Sequence, residues 1–118
     1  MAKKKMDRAF KQLWLQHLKS GNYKKGIHAL RTEDNACCCL GVAIDILVKQ
    51  GVCKWSEQPT IGSRYCTNYQ DKEMSVSFIP EVIAEKIGLN VEDQKDLAII
   101  NDKTKTFKEV IEYIEKNL

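Results

Sequence analysis

Side chains suited to bind an anion cluster in one short stretch of the sequence. They are Tyr23, Lys24, Lys25, His28 and Arg31. Together they offer an aromatic face, positive charge and hydrogen-bond donors, which is the chemistry that recognises phosphate or carboxylate groups. A predicted helix starts soon afterwards at Cys37, and the free backbone N–H groups of a helix start also favour an anion. The sequence therefore predicts a pocket for a small anion in this stretch.

Three further polar residues complete the predicted ligand site. Asp34 lies in the polar loop at residues 32–35, and Asn101 and Asp102 lie just past the expected end of a later helix. Amide and carboxylate groups just past a helix end are able to recognise a base or a ribose by hydrogen bonds, although an Asn-Asp pair also forms turns. The chain has no glycine-rich Walker or dinucleotide loop, so we expect neither an ordinary ATP enzyme nor a bound cofactor.

The five cysteines are candidates for two other kinds of site, a zinc centre and a catalytic thiol. They are Cys37, Cys38, Cys39, Cys53 and Cys66. Adjacent cysteines on a helix point about 100° apart and cannot all face one ion, and the chain has no Cys-x2-Cys pair, so we predict no metal. A thiol in the first turn of a helix has a lowered pKa, with His28 as a candidate base and Asp34 or Asp102 to orient it. Because apolar residues follow the cysteines, we assign them to core packing and name no catalytic residue; a Cys-dependent hydrolase or a nuclease stays an open alternative.

The distribution of charge along the chain is uneven. Residues 1–31 contain nine Lys and Arg against one acidic residue, a net charge of +8, whereas the remainder has ten basic and fifteen acidic residues, a net charge of −5. This asymmetry indicates an anionic partner for the N-terminal third, or else a basic solvated helix face. No nucleic-acid-binding motif accompanies it, so we do not expect nucleic acid as the partner. No apolar run approaches the roughly 20 residues of a membrane span, and an odd number of cysteines fits reduced thiols in the cytosol.

Hydrophobic periodicity predicts a mostly helical domain. The expected helices cover residues 7–19, 37–50, 80–88 and 90–100, and a last helix runs from a capping box at Thr106 and Glu109 to the end. The second reads C-C-C-L-G-V-A-I-D-I-L-V-K-Q and is apolar on nearly all sides, which is typical of a helix at the centre of a fold. Its Gly41 indicates close packing of another backbone, and Asp34 or Asn35 is expected to cap it.

The middle of the chain, residues 52–78, has the composition of a small hairpin or ordered loop. Strands are expected at 52–55, 64–67 and 75–78, and a further short strand at 27–30. The predicted fold class is therefore α+β, a single domain over residues 1–118 with four to five helices around a central apolar helix and a small β element in the middle. Whether residues 1–6 are ordered stays open.

Four segments form a pattern shared with a known group of proteins. The first is W-L-x-x-L-x-S-G-x-Y-x-x-G-x-x-x-L-R-x-x-D (14–34), and C-C-L-G-V (38–42), L-x-x-I-N-D (97–102) and T-F-x-x-V-I-x-Y-I (106–114) follow. This pattern resembles small proteins encoded by bacteriophages and prophages. The likeness covers nearly the whole chain except residues 54–75, and it brings no established catalytic assignment.

The resemblance implies a setting rather than a reaction. A small accessory phage protein of this kind acts in the cytosol of the host cell, often against host defence, by sequestering a signal molecule or by covering a host protein. Together with the predicted anion pocket, this favours a counter-defence protein that binds a small nucleotide-like signal without catalysis, as a homo-oligomer that encloses the ligand. The alternative is an inhibitor of a host protein that uses Trp55, Tyr65 and Tyr69 of the middle segment as anchors.

Overall fold

Helices occupy both ends of the chain and short strands occupy its middle. A computed structural model of the chain describes residues 6–59, 62–69 and 73–118. Within these ranges the helices are α1 (Arg8–Lys19), α2 (Cys39–Lys49), α3 (Glu81–Ile87), α4 (Val91–Lys103) and α5 (Lys108–Asn117), and the strands are β1 (Lys54–Trp55), β2 (Thr67–Tyr69) and β3 (Glu73–Ser75). The architecture is a single, mostly helical α+β domain, which confirms the predicted fold class.

Helix α2 is the centre of the core, as its apolar sequence predicts. Its residues from Cys39 to Ile44 are all buried, and so are Ile46 and Leu47. A Cβ atom added at Gly41 would lie 1.7 Å from the backbone oxygen of Leu30. Because any larger side chain at this position would overlap that carbonyl group, the prediction of close backbone packing at Gly41 is confirmed.

Other helices pack against α2 and against one another. Helices α1 and α4 both pack against α2, and α5 packs against α1 and α4. On α1 the side chain of Trp14 is fully buried, and its indole Nε1 donates a hydrogen bond to the backbone oxygen of Cys39 at 3.0 Å. Burial of so large a side chain stabilises the contact between α1 and α2, and the hydrogen bond satisfies its one polar group.

Helix α4 is longer than its sequence signals predict. Its start is as expected, since the Asn90 side chain accepts a hydrogen bond from the Asp93 N–H at 2.8 Å. It continues to Lys103, so Asn101 and Asp102 lie in its last turn and not beyond its end. The sequence of this pair is typical of a turn. In the structure, however, the Asn101 side chain forms hydrogen bonds to other segments, and the helix continues through the pair.

The start of α5 differs from the predicted capping box. Phe107 stands at the N-cap position, and its side chain accepts no hydrogen bond from the first turn. The N–H of Lys108 donates to Thr106 Oγ1 at 3.3 Å instead. The ring of Phe107 is buried at the entry to the helix, and Glu109 consequently stands one position too early to close a box.

Helix α2 begins at Cys39, two residues later than predicted, and neither Asp34 nor Asn35 caps it. Asn35 instead adopts a left-handed conformation, with φ of 63°, in a turn where its N–H donates to the Thr32 oxygen. This turn directs the chain away from the helix axis. The cap of α2 comes from a different part of the molecule.

Residues 27–30 form bends rather than the predicted strand. His28 has a φ of 61°, which interrupts an extended conformation. The bridges of this segment lie at its flanks, where Lys25 and Arg31 both pair with Cys37. The segment therefore wraps around the residues that precede α2.

The middle segment forms one antiparallel sheet in the order β1-β2-β3. Each predicted strand overlaps an observed strand, but the second and third do so by a single residue. Strand β1 ends at Trp55 as expected, whereas β2 begins at Thr67, where the predicted strand ends, and β3 ends at Ser75, where the predicted strand begins. The residues before β2 have another partner, because the Tyr65 N–H donates to the Arg31 oxygen at 2.9 Å. This bond attaches the sheet to the segment that precedes α2.

Two expectations concern the N-terminus and the membrane. The question of order at residues 1–6 falls largely outside the described residues, which begin at the buried Met6. None of the helices in the described ranges has both the length and the hydropathy that crossing a membrane requires.

Candidate ligand-binding site

The predicted ligand residues do not form one pocket. They are Tyr23, Lys24, Lys25, His28, Arg31, Asp34, Asn101 and Asp102. The first six lie on a segment that bends around the start of α2 and the last turn of α4, so their side chains point to different parts of the surface and core. Each group is best described by the partner that it binds.

Lys24 and Asp34 form an exposed ion pair. Lys24 Nζ lies 2.6 Å from Asp34 Oδ2, and both side chains are more than half exposed. Hydrogen bonds from Lys24 and Thr32 lower the pKa of Asp34 to about 2, so the carboxylate is charged at neutral pH. The charge of Lys24 is thus directed to a neighbouring loop residue.

Arg31 attaches the small sheet to the core. Its guanidinium carbon lies 4.3 Å from the ring centre of Tyr65 and 5.4 Å from that of Trp55, and its Nε and Nη2 donate to Asn35 Oδ1. Such stacking is a stabilising cation–π contact. Two of the three predicted aromatic anchors are therefore engaged by Arg31, and the third, Tyr69, lies 5.3 Å beneath Lys86 Nζ.

Asp45 is a polar centre on α2 that the sequence analysis missed. Its carboxylate accepts hydrogen bonds from Tyr23 OH at 2.7 Å and Trp55 Nε1 at 3.2 Å, and Lys49 Nζ lies at 3.2 Å. Burial raises the pKa of Asp45, but these three hydrogen bonds together hold it below its ordinary value. Burial and the bond to Asp45 raise the pKa of Tyr23, so its hydroxyl stays a neutral donor. The only sequence signal is an acid in an otherwise apolar helix.

Asn101 is fully buried and supplies the missing cap of α2. Its Oδ1 accepts a hydrogen bond from the Cys39 N–H at 3.1 Å, and its Nδ2 donates to the Gly26 oxygen at 2.9 Å and to Asp102 Oδ1 at 3.1 Å. The helix start at which we expected an anion is thus occupied by a side chain of the protein. Asn101 lies beneath the surface, where it holds three segments together.

Lys25 binds the end of α4. Its Nζ donates to the backbone oxygen of Asn101 and, at 2.5 Å, to that of Thr104. A cation at this position neutralises the partial negative charge of the helix C-terminus. Lys25 is half-buried and links the segment before α2 to the turn between α4 and α5.

A groove of about 650 Å³ runs between α1, the loop after it and the start of α5; we call it the lysine groove. It is lined by Leu18, Lys19, Gly21, Tyr23, Lys25, Lys105, Thr106, Phe107, Lys108, Ile111, Glu112 and Glu115. Lys19 pairs with Glu115 at 3.0 Å. By contrast, the ammonium groups of Lys105 and Lys108 are exposed and have no hydrogen-bond or ion-pair partner among the described residues. Two lysines without a partner among the described residues therefore border this groove, which is also lined by the carboxylate of Glu112.

The sequence analysis missed Lys105 and Lys108. The signal that marks them is the run K-T-K-T-F-K at residues 103–108, which places three lysines beside the start of a helix. This signal is local, because the second half of the chain is acidic as a whole. Only Tyr23 and Lys25 of the predicted set line this groove.

A smaller cavity has a volume of about 210 Å³; we call it the His28 cavity. Its walls are His28, Ala29, Cys38, Ser77, Phe78, Ala98 and Asp102. His28 Nδ1 lies 3.0 Å from Asp102 Oδ2, and the His28 N–H donates to Asp102 Oδ1 at 3.2 Å. The carboxylate thereby holds His28 in its left-handed conformation, with 70% of the side chain exposed.

The cysteines have the properties of core residues. All five are buried. Burial raises the pKa of Cys38 to about 11. Hydrogen bonds from the backbone N–H groups of Gly41 and Leu40 have the opposite but smaller effect. Because this thiol is protonated at neutral pH, it is a poor nucleophile even though it borders the His28 cavity. The described residues contain no group of His, Cys, Asp or Glu that could hold a metal ion.

Comparison with known proteins assigns the chain to a family. Residues 6–118 match the model described as Domain of unknown function (DUF8296). The chain belongs to the DUF8296 family. The match spans every element of the fold, so both the lysine groove and the His28 cavity lie within the family domain. No curated protein and no solved structure matches the chain.

Proposed function

We propose that the protein binds and sequesters a small anionic, nucleotide-like molecule in the lysine groove, without catalysis. The observation that carries this proposal is the pair of exposed ammonium groups, on Lys105 and Lys108, that border the groove without a partner among the described residues. Charges that are already paired within a protein gain little from a ligand, whereas an ammonium group without a protein partner is able to form a charge-assisted hydrogen bond to a phosphate.

The walls of the groove support a ligand that also has an apolar part. Leu18, Phe107 and Ile111 provide apolar surface, and Tyr23 adds a half-buried ring whose hydroxyl is fixed by Asp45. A volume of about 650 Å³ is in the range of small-molecule sites. The combination of apolar walls and a positively charged rim suits a molecule with a ring system and one or more phosphates.

Binding without reaction is supported by the chemistry of the neighbouring groups. The Cys38 thiol is protonated at neutral pH, and it borders the His28 cavity and not the lysine groove. We further propose a counter-defence function in the cytosol of a host cell, and the resemblance to phage proteins supports this part of the proposal. A second copy of the chain that covered the open side of the groove would enclose the ligand, so we propose a homo-oligomer.

The test is thermal unfolding against pyrophosphate, ADP-ribose and a panel of cyclic dinucleotides, followed by analysis of the recovered ligand. A ligand present at about 100 times its Kd stabilises the protein by about 2.7 kcal/mol, which gives a measurable rise in Tm. We expect this rise in the native protein and its loss in the double variant Lys105→Ala, Lys108→Ala. Recovery of a chemically altered ligand would contradict binding without catalysis.

The matched control is Lys95→Ala with Lys116→Ala. Both are exposed helix lysines outside the lysine groove, and the pair removes the same amount of positive charge. If this control loses binding as completely as the groove variant does, attraction by net charge explains the result and the groove is not the site. An unchanged Tm with every probe would shift the search to a host protein as the target.

A further inference from the structure

Helix α4 has apolar side chains that are exposed to solvent. Val91 and Ile99 are 56% and 52% exposed, more than any other large aliphatic side chain among the described residues. Valine and isoleucine are among the residue types that are most often buried. A single exposed apolar residue is ordinary, but here two of them lie on one helix. This helix is therefore a candidate interaction surface.

The exposed residues of α4 form one continuous face. They are Val91, Glu92, Lys95, Asp96, Ile99 and Lys103. At about 100° per residue these positions fall within about 140° of the helix circumference, and the buried Leu97 and Asn101 lie on the opposite side. Phe78 adjoins α4, since it is partly exposed and lines the His28 cavity together with Ala98. The exposed apolar surface thus continues from α4 onto the segment before α3.

The charges at the two ends of this face have opposite signs. Glu92 lies in the first turn of α4 and Lys103 in the last, and neither side chain has a hydrogen-bond or ion-pair partner within the described ranges. They are about three helical turns apart, so both lie on the same face with Ile99 between them. The helix macrodipole explains the sign of each charge, but it does not explain the exposed isoleucine.

A second copy of the same helix is complementary to this pattern. When two copies of α4 lie antiparallel about a two-fold axis, Glu92 of each copy can face Lys103 of the other, so the ion pair occurs twice. In this register the two Ile99 residues are about 4.5 Å apart along the helices, close enough for their side chains to meet. A parallel pair would instead bring like charges together at both ends.

We propose that the protein associates with a second copy of itself through the exposed face of α4, in an antiparallel pair. The contact is separate from the lysine groove, because none of the residues of this face lines the groove. Two short helix faces make a small interface, so the pair forms at micromolar or higher concentrations and dissociates on dilution.

Sedimentation velocity of the full chain over a series of concentrations tests the pair. We expect a monomer–dimer equilibrium. Ile99→Asp should raise the dimer Kd at least about tenfold, because it places two carboxylates at the centre of the interface. The side chain is exposed in the single chain, so the fold should persist, which circular dichroism checks. A protein that stays monomeric at every concentration would overturn the proposal, and so would an unchanged dimer in Ile99→Asp.

Reversal of the end charges tests the antiparallel geometry. Glu92→Lys and Lys103→Glu each bring like charges together and should each raise the dimer Kd about tenfold, whereas the double variant restores opposite charges and the native Kd. The double variant opposes the helix macrodipole at both ends, so its Tm as a monomer should fall while its dimer affinity returns. If the double variant dimerised less well than either single variant, the pairing of Glu92 with Lys103 would be wrong.

The matched control is Glu109→Lys with Lys116→Glu. These exposed residues lie in the first and last turns of α5, so the control makes the same charge reversals against the macrodipole of another helix. Neither these variants singly nor the pair should change the dimer Kd. A change as large as that caused by the α4 variants would assign the effect to the charge of the whole chain and overturn the interface.

Discussion

The lysine groove and the His28 cavity are neighbours on the same two segments, yet their polar groups are arranged in opposite ways. At the groove, Lys105 and Lys108 have ammonium groups without a partner among the described residues. At the cavity, Asp102 already binds both His28 and the side chain of Asn101. The two lysines of the first site form no hydrogen bond or ion pair with the described residues, whereas the polar side chains of the second site also hold the fold together.

This difference separates binding from stability. A free surface lysine contributes little to folding, so its replacement should change affinity alone. A polar group with buried partners leaves them unsatisfied when it is replaced, so its loss lowers the free energy of unfolding as well. The effects of substitutions at the two sites on the free energy of unfolding should therefore range from a large loss to no change.

The largest loss is expected for Asn101→Ala, behind the His28 cavity. The variant leaves the Cys39 N–H and the Gly26 oxygen without their partner inside the core. Each buried unsatisfied group costs about 1–3 kcal/mol, so we expect the free energy of unfolding to fall by about 3–5 kcal/mol in a urea titration. Asn117→Ala, at an exposed asparagine, is the control and should change it by less than about 0.5 kcal/mol. A loss below 1 kcal/mol for Asn101→Ala would mean that water replaces the side chain.

An intermediate loss of stability is expected for Asp45→Asn. Asp45 binds the hydroxyl group of Tyr23, a residue that lines the lysine groove. Hydrogen bonds to a charged group contribute about 1.5–3 kcal/mol, so we expect a loss of about 2 kcal/mol at pH 7. The folded pKa of Asp45 is lowered, so its contribution is complete above the unfolded value of about 3.9 and disappears as the pH falls through the folded pKa.

The difference in unfolding free energy between the native protein and Asp45→Asn should accordingly shrink below about pH 4. Urea titrations at several pH values measure it, with Glu57→Gln as an exposed control. A difference that stayed constant into strong acid would show that Asp45 is not the titrating group.

The smallest effect on stability is expected where the effect on binding is greatest. The variant Lys105→Ala, Lys108→Ala should keep the free energy of unfolding within about 0.5 kcal/mol of the native value while it loses affinity for pyrophosphate. Urea unfolding and titration calorimetry on the same preparation measure both. A stability loss of several kcal/mol would remove the distinction between the two sites.

The sequence predicts features that depend on neighbouring residues. The apolar run of α2, the close contact at Gly41 and the cap at Asn90 are each encoded within a few positions. The candidate site is predicted less well, because the basic side chains of residues 23–31 bind partners on distant segments. Periodicity cannot show that Lys25 would bind the end of α4, or that Lys105 would have no partner within the described part of the chain.

The cap of α2 has a consequence for the order in which the chain folds. The Cys39 N–H and the Asn101 side chain that satisfies it are separated by 62 residues. A growing chain emerges from the ribosome with its N-terminal part first, so the central helix is made long before its cap exists. We expect the first turn of α2 to stay frayed until α4 docks, which makes completion of this domain a late and concerted event in its synthesis.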